Sequence, residues 1–191
     1  MSNEGKNEEA LKILEDSLKI KVTPAALNNA GAALAYLGRD HEAADYYRRA
    51  VHLFPNYRYW LNLADSERRL HHAAAARSAY QNGEQLAIRE LQTQPQLAEP
   101  RSYVAHFEAR LGEKRAQEEV AQALHAAPAD SQVIRNAVLT YNALGQRDRA
   151  LSALERATLP VLLDVERHPD LADFCQNSRF KEVKARKQEG G

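Results

Sequence analysis

Few side chains in this sequence are suited to covalent chemistry. The single thiol, Cys175, stands seven residues after His168, and the two could be drawn as a nucleophile and its base, the core of a small thiol enzyme. Read as packing, the same sulfur is a small apolar group, which is the preferred reading. The histidines at 41, 52, 71, 72, 106, 125 and 168 include no pair at i and i+4 of one helix, the spacing that lets two imidazoles grip one metal ion. No metal site is expected. The sequence holds no phosphate-cradling glycine loop, Gly-x-Ser-x-Gly elbow, His-Glu-x-x-His pair or kinase motif. No catalytic residue and no cofactor is expected, and the chain is read as a non-enzyme.

The elements that carry these residues are helical by composition. The 191 residues are 44% hydrophobic, with 33 Ala and 23 Leu against nine Val and four Ile, so good helix formers far outnumber the stiff β-branched residues. Lys plus Arg and Asp plus Glu number 26 each. A net charge of zero argues against nucleic acid and anionic membrane as partners, since both reward a basic excess. No window reaches the length of uncharged apolar sequence that a membrane helix needs, and Met1–Lys6 lacks a signal-peptide core. One cysteine allows no internal disulfide and fits a reducing compartment, so a cytoplasmic location is expected.

A small residue followed four positions later by a larger apolar or aromatic one recurs as Ala10/Leu14, Ala43/Tyr47, Ala76/Tyr80, Ala116/Val120 and Ala150/Leu154. The alanines are spaced by 33, 33, 40 and 34 residues, and a Leu-Gly turn recurs at Leu37-Gly38, Leu111-Gly112 and Leu144-Gly145. The unit is helix, tight turn, helix. Residues 24–57 carry Leu27, Ala30-Gly31, Gly38, Ala43, Tyr47, Ala50 and Pro55, and this pattern resembles the tetratricopeptide repeat (TPR). The resemblance implies an all-α fold, a right-handed α-solenoid of antiparallel helix pairs. Small residues there let helix backbones approach while large ones fill the space beside them.

In this register TPR 1 is 24–56 and TPR 2 is 57–97, with His71-His72 in place of the turn glycine and a second helix lengthened by about two turns, roughly 10 Å. TPR 3 is 98–130 and TPR 4 is 131–159. Residues 1–23 match only the second helix of a partial repeat or an N-terminal cap, which suggests a piece of a longer protein. Residues 160–191 read as a helical cap: short helices at Pro160 and Pro169, then a final amphipathic turn at Phe180 and Val183 before a charged tail. His168-Pro169-Asp170-Leu171-Ala172 with Asn177-Ser178-Arg179-Phe180 is similar to the ending of the C-terminal TPR region of bacterial multidomain signalling proteins of the serine/threonine kinase, adenylate cyclase or winged-helix regulator type. His168 and Asn177-Ser178 depart from that ending.

The TPR resemblance implies a concave groove lined by the first helix of each repeat, and a non-catalytic protein-interaction module. The places it assigns to the groove hold Asn28, Asn29, Tyr36, Arg58, Asn62, Asp65, Arg69, Tyr103, His106, Arg110, Arg135 and Asn136. Asparagines could pair with the backbone of an extended peptide, or bond between repeats instead. Arginines could fork a carboxylate. With Arg68 and Glu99 included, five arginines face two acids, so the groove is expected to be locally basic and to favour an acidic or C-terminal segment. The places of the five-residue carboxylate clamp of chaperone-binding TPR proteins hold Asn28, Ala32, Asn62, Glu99 and Tyr103, one match, which argues against that ligand. The rival reading is homo-oligomerisation through residues 5–22.

Overall fold

A computed structural model describes residues 3–189, and every regular element among them is helical. The outermost residues of the 1–23 and 160–191 segments, 1–2 and 190–191, lie outside the described residues. The helices run α1 (Asn3–Ile20), α2 (Pro24–Tyr36), α3 (Asp40–Leu53), α4 (Tyr57–Arg69), α5 (Ala73–Thr93), α6 (Ala98–Leu111), α7 (Ala116–Ala126), α8 (Ser131–Ala143), α9 (Arg147–Leu154), α10 (Leu159–Arg167) and α11 (Ser178–Glu189). Two single turns of 3-10 helix, Pro169–Leu171 and Phe174–Gln176, lie between the last two. Among the described residues no helix is long and apolar enough to cross a membrane.

Side chains start three of the first helices. Thr23 accepts from the Ala26 N–H ahead of α2, Asn56 from Arg58 ahead of α4, and Asp130 from Gln132 and Val133 ahead of α8. Each satisfies amide donors that a helix start leaves without an internal partner. The turns inside the hairpins share one closure: the N–H groups of Arg39, His72, Glu113 and Gln146 donate to carbonyls five residues back, at 2.8–2.9 Å. The residue before each donor takes a positive φ, at Gly38, His71, Gly112 and Gly145. His71 thus adopts the left-handed conformation that glycine supplies elsewhere.

The chain divides into two compact units, Met1–Leu86 and Ala87–Gly191, with the division inside α5. In the first unit α1 packs on α2, α2 on α3, and α3 on α4. Leu27, Leu34 and Ala43 are buried there, and an added Cβ at Gly31 would stand 2.7 Å from the Tyr47 ring. Glycine is therefore required for the close approach of α2 and α3. Leu11 anchors α1, and the Tyr46 hydroxyl donates to Glu15 at 3.4 Å.

In the second unit α6 packs on α7 and α8, and α8 on α9. Leu162, Val165, Leu171, Phe174, Phe180 and Val183 join Ile134, Leu151 and Leu154 in one buried cluster. Each full burial of this kind is worth about 1.5–3 kcal/mol. The end of the chain differs from the single amphipathic turn expected at Phe180 and Val183. The 12-residue helix α11 runs on through the charged tail to Glu189, because Asn177 accepts from the Arg179 N–H at its start and Lys184 bonds both carboxylate oxygens of Glu166 at 2.7 Å.

Candidate partner-binding surfaces

The polar residues assigned to the first helices fall into two sets, one in each unit. In the first unit, Arg58, Asn62 and Arg69 recur at helical spacing along α4. The Asn62 Nδ2 donates to Asn28 Oδ1 of α2 at 2.8 Å, which places the two helices' polar faces side by side. Asn29 is exposed. Arg58 is also exposed, with its guanidinium 5.7 Å from the Tyr57 ring centroid, a contact worth about 0.5–1 kcal/mol at a solvated site. Tyr36 is half-buried at the end of α2. Asp65 is buried and accepts from the Tyr80 hydroxyl at 2.6 Å. Arg69 donates to Asp40 at 2.7 Å and to Ser66 at 3.1 Å.

In the second unit the corresponding residues are mostly enclosed. Tyr103 and His106 are buried within a run on α6 that is buried throughout from Ser102 to Glu108, and Asn136 is buried on α8. Asn136 accepts from Gln132 and donates to the Ser102 hydroxyl at 2.9 Å, and Ser102 in turn donates to the Glu99 carbonyl at 2.6 Å. These three residues were expected on the lining of a groove. Their burial, and for Asn136 the bond between helices, takes them out of reach of a partner. Arg110 donates to Asp170 at 2.9 Å and Arg135 to Asp164 at 2.6 Å.

The expected basic character of the first-helix face is corrected by these pairs. Asp40, Asp164 and Asp170 lie 29, 29 and 60 residues from the arginines they meet, so counting charges along the first helices could not find them. Arg68 lies 4.0 Å from Asp65. Among the five arginines, Arg58 is exposed and held against an aromatic ring.

Cys175 is buried, its Sγ 3.7 Å from the Val165 carbonyl. Burial, with the Glu166 carboxylate adding to it, pushes the thiol up to about 12 against a smaller opposite effect of Lys184. Such a sulfur is protonated at neutral pH and a poor nucleophile. The His168 Nδ1 accepts from the Asp170 N–H at 3.3 Å, which commits it to the turn after α10.

Helix hairpins joined by left-handed turns, with small residues at the crossing and asparagine bonds spanning 34 residues between first helices, define the architecture. This is the tetratricopeptide-repeat fold. No family model matches the chain and no curated protein matches the sequence significantly. Among solved structures, the APC/C hetero-tetramer Cut9-Hcn1 aligns over 96% of this chain and 33% of that one, at 16% identity and a TM-score of 0.53. YrrB, described as a TPR protein with an unusual peptide-binding site, aligns over 97% and 84% at 18% identity and a TM-score of 0.45. MamA aligns over 82% and 92% at 17% identity and a TM-score of 0.46.

Within the TPR pattern one position departs in an informative way. Arg101 stands where Leu27, Trp60 and Ile134 stand in the other repeats. It reaches Glu119 at 2.6 Å, Gln122 at 2.9 Å and the Pro95 carbonyl at 3.0 Å. A bulky apolar contact is replaced there by a polar one that ties α6 to α7 and to the segment after α5. This network was not among the sequence expectations, although an arginine at that place of the TPR pattern is a visible signal.

Proposed function

We propose that this TPR chain is a non-catalytic protein-interaction module whose first unit meets a partner segment across the α2 and α4 face. The observation that carries this reading is the Asn28–Asn62 bond, which aligns two polar helix faces and leaves Arg58 and Asn29 exposed beside them. A backbone segment lying there finds amide donors and acceptors from the asparagines and a carboxylate-forking arginine one helical turn away. The compensated charge of Arg69 favours a partner with isolated carboxylates over a strongly acidic one. The resemblance of residues 168–180 to the ending of signalling-protein TPR regions supports a setting in a larger bacterial signalling or regulatory protein.

The test is photo-crosslinking from a benzophenone side chain at Asn29 in extract, with the same probe at exposed Arg77 of α5 as control. The reading expects a discrete crosslinked partner from position 29 that Arg58→Glu reduces by about fivefold or more. Equal crosslinking from both positions, or no effect of Arg58→Glu, would overturn it.

A second reading, self-association through α1, is favoured by one specific observation: Ile13 and Ile20 are 63% and 89% exposed.

A further inference from the structure

In the second unit, α7 and α9 are the second helices of consecutive hairpins, and both rest on α8. A groove of about 850 Å³ opens between them. Its floor is apolar and aromatic: Tyr141 and Ala153 are buried and Leu124 is half-buried. Its walls carry Lys114, Arg149 and Arg156, all exposed, with Glu118 the one carboxylate among the lining residues. Among the described residues no carboxylate pairs with any of these three cations. Arg69, Arg101, Arg110, Arg115 and Arg135, by contrast, all have carboxylate partners within 2.9 Å. Burial raises the Tyr141 phenol and the Arg149 charge opposes that shift, so the cation's field reaches the floor of the groove.

The first unit supplies an internal comparison. A groove of about 580 Å³ lies between its own second helices, α3 and α5. Counted from the repeat alanines 43, 76, 116 and 150, His52 and His125 share one position, as do Ser78 and Ser152, and Ala79 and Ala153. At the places of Arg149 and Arg156 the first unit has Ala75 and Asn82. Its own arginine, Arg48, is held by Glu67 at 2.6 Å and by Asp45. The fold therefore builds this groove without cations at the places of Arg149 and Arg156, so those two arginines are additions to the shared helix pattern.

We infer that the α7–α9 groove is a second docking site, distinct from the α2–α4 face, for an acidic peptide segment with an apolar side chain among its carboxylates. The guanidinium forks and the ammonium receive the carboxylates, and the Tyr141–Leu124–Ala153 floor receives the apolar side chain. Nucleic acid is disfavoured because three cations around one apolar trough do not form a phosphate-tracking stripe, and the net charge of the chain is zero.

The test uses the full chain and a fluorescein-labelled peptide of about ten residues alternating Glu and Leu, followed by anisotropy at low salt. Saturable binding is expected. The variant Arg149→Ala with Arg156→Asn, which installs the residues of the first unit's groove, is expected to weaken it about tenfold or more with an unchanged unfolding midpoint. Arg58→Glu is expected to leave it unaltered, which separates this site from the α2–α4 face. The inference is overturned by no saturation up to about 1 mM peptide, by equal binding to the double variant, by loss of binding with Arg58→Glu, or by tighter binding of an oligothymidylate of equal charge.

Discussion

Arg69, Arg110 and Arg135 sit where partner-facing cations would be expected, and each has a carboxylate from its own chain instead. A side chain's type and its place in a repeat were readable; its partner 29 or 60 residues away was not, because that pairing depends on how hairpins stack. The asparagines were more legible. Binding to a partner and bonding between repeats were both open for Asn62 and Asn136, and the structure gives each a bond to a residue 34 positions earlier. Cys175 makes a sharper case, with a consequence that can be measured. Its thiol is raised from an ordinary value of 9.0 to about 12 in the folded chain. Its contribution to stability is therefore fully present below about pH 9 and is lost as pH rises towards 12, since the unfolded thiol ionises first. Cys175→Ala removes this slope. Between about pH 8.5 and 10.5, urea titrations should show the parent losing about 1–2 kcal/mol more than the variant; equal losses would mean that the thiol is not held protonated by the fold.

At the scale of elements, the helices and their glycine turns were legible because period and punctuation are local. Gly38, Gly112 and Gly145 have positive φ and nothing within 4 Å of an added Cβ, so glycine serves backbone conformation there and not packing. The turn after α4 uses the same hydrogen bond with His71 at φ 62, which repeat matching registers only as a mismatch. A non-glycine residue in this region costs about 1–2 kcal/mol, partly offset by the greater unfolded-state freedom of glycine. His71→Gly should therefore stabilise the chain by about 0.5–1 kcal/mol, and Gly112→Ala should destabilise it by about 1 kcal/mol, both read from denaturant midpoints. No gain for His71→Gly would mean that the imidazole makes a compensating contact. The full extent of α11 was less legible. A run of Lys, Arg and Glu has no apolar period of its own, and its helicity depends on the buried Phe180 and Val183 and on the Lys184–Glu166 pair.

At the scale of the whole molecule, the open question is what covers α1. Leu11 faces α2 and is buried, whereas Ile13 and Ile20, two turns apart, are exposed at 63% and 89%, with Val22 beyond them at 49%. A repeat array normally covers this side of a second helix with a further helix or a polar cap, and the charged residues of α1 leave these isoleucines uncovered. A two-fold dimer answers the need with one surface used twice, α1 against α1 of a second copy. Burying the two isoleucines of each copy would contribute about 1.5–3 kcal/mol per side chain before the cost of association, which suits a weak dimer. Light scattering on the chain, 21.4 kDa as a monomer, should then show a mass that rises with concentration towards twice that value. Ile13→Glu with Ile20→Glu should hold it at the monomer mass with little change in unfolding midpoint, because both positions are solvent-exposed in the single chain. A concentration-independent monomer from the parent chain would remove the dimer reading and leave the α2–α4 face and the α7–α9 groove as the two proposed partner surfaces.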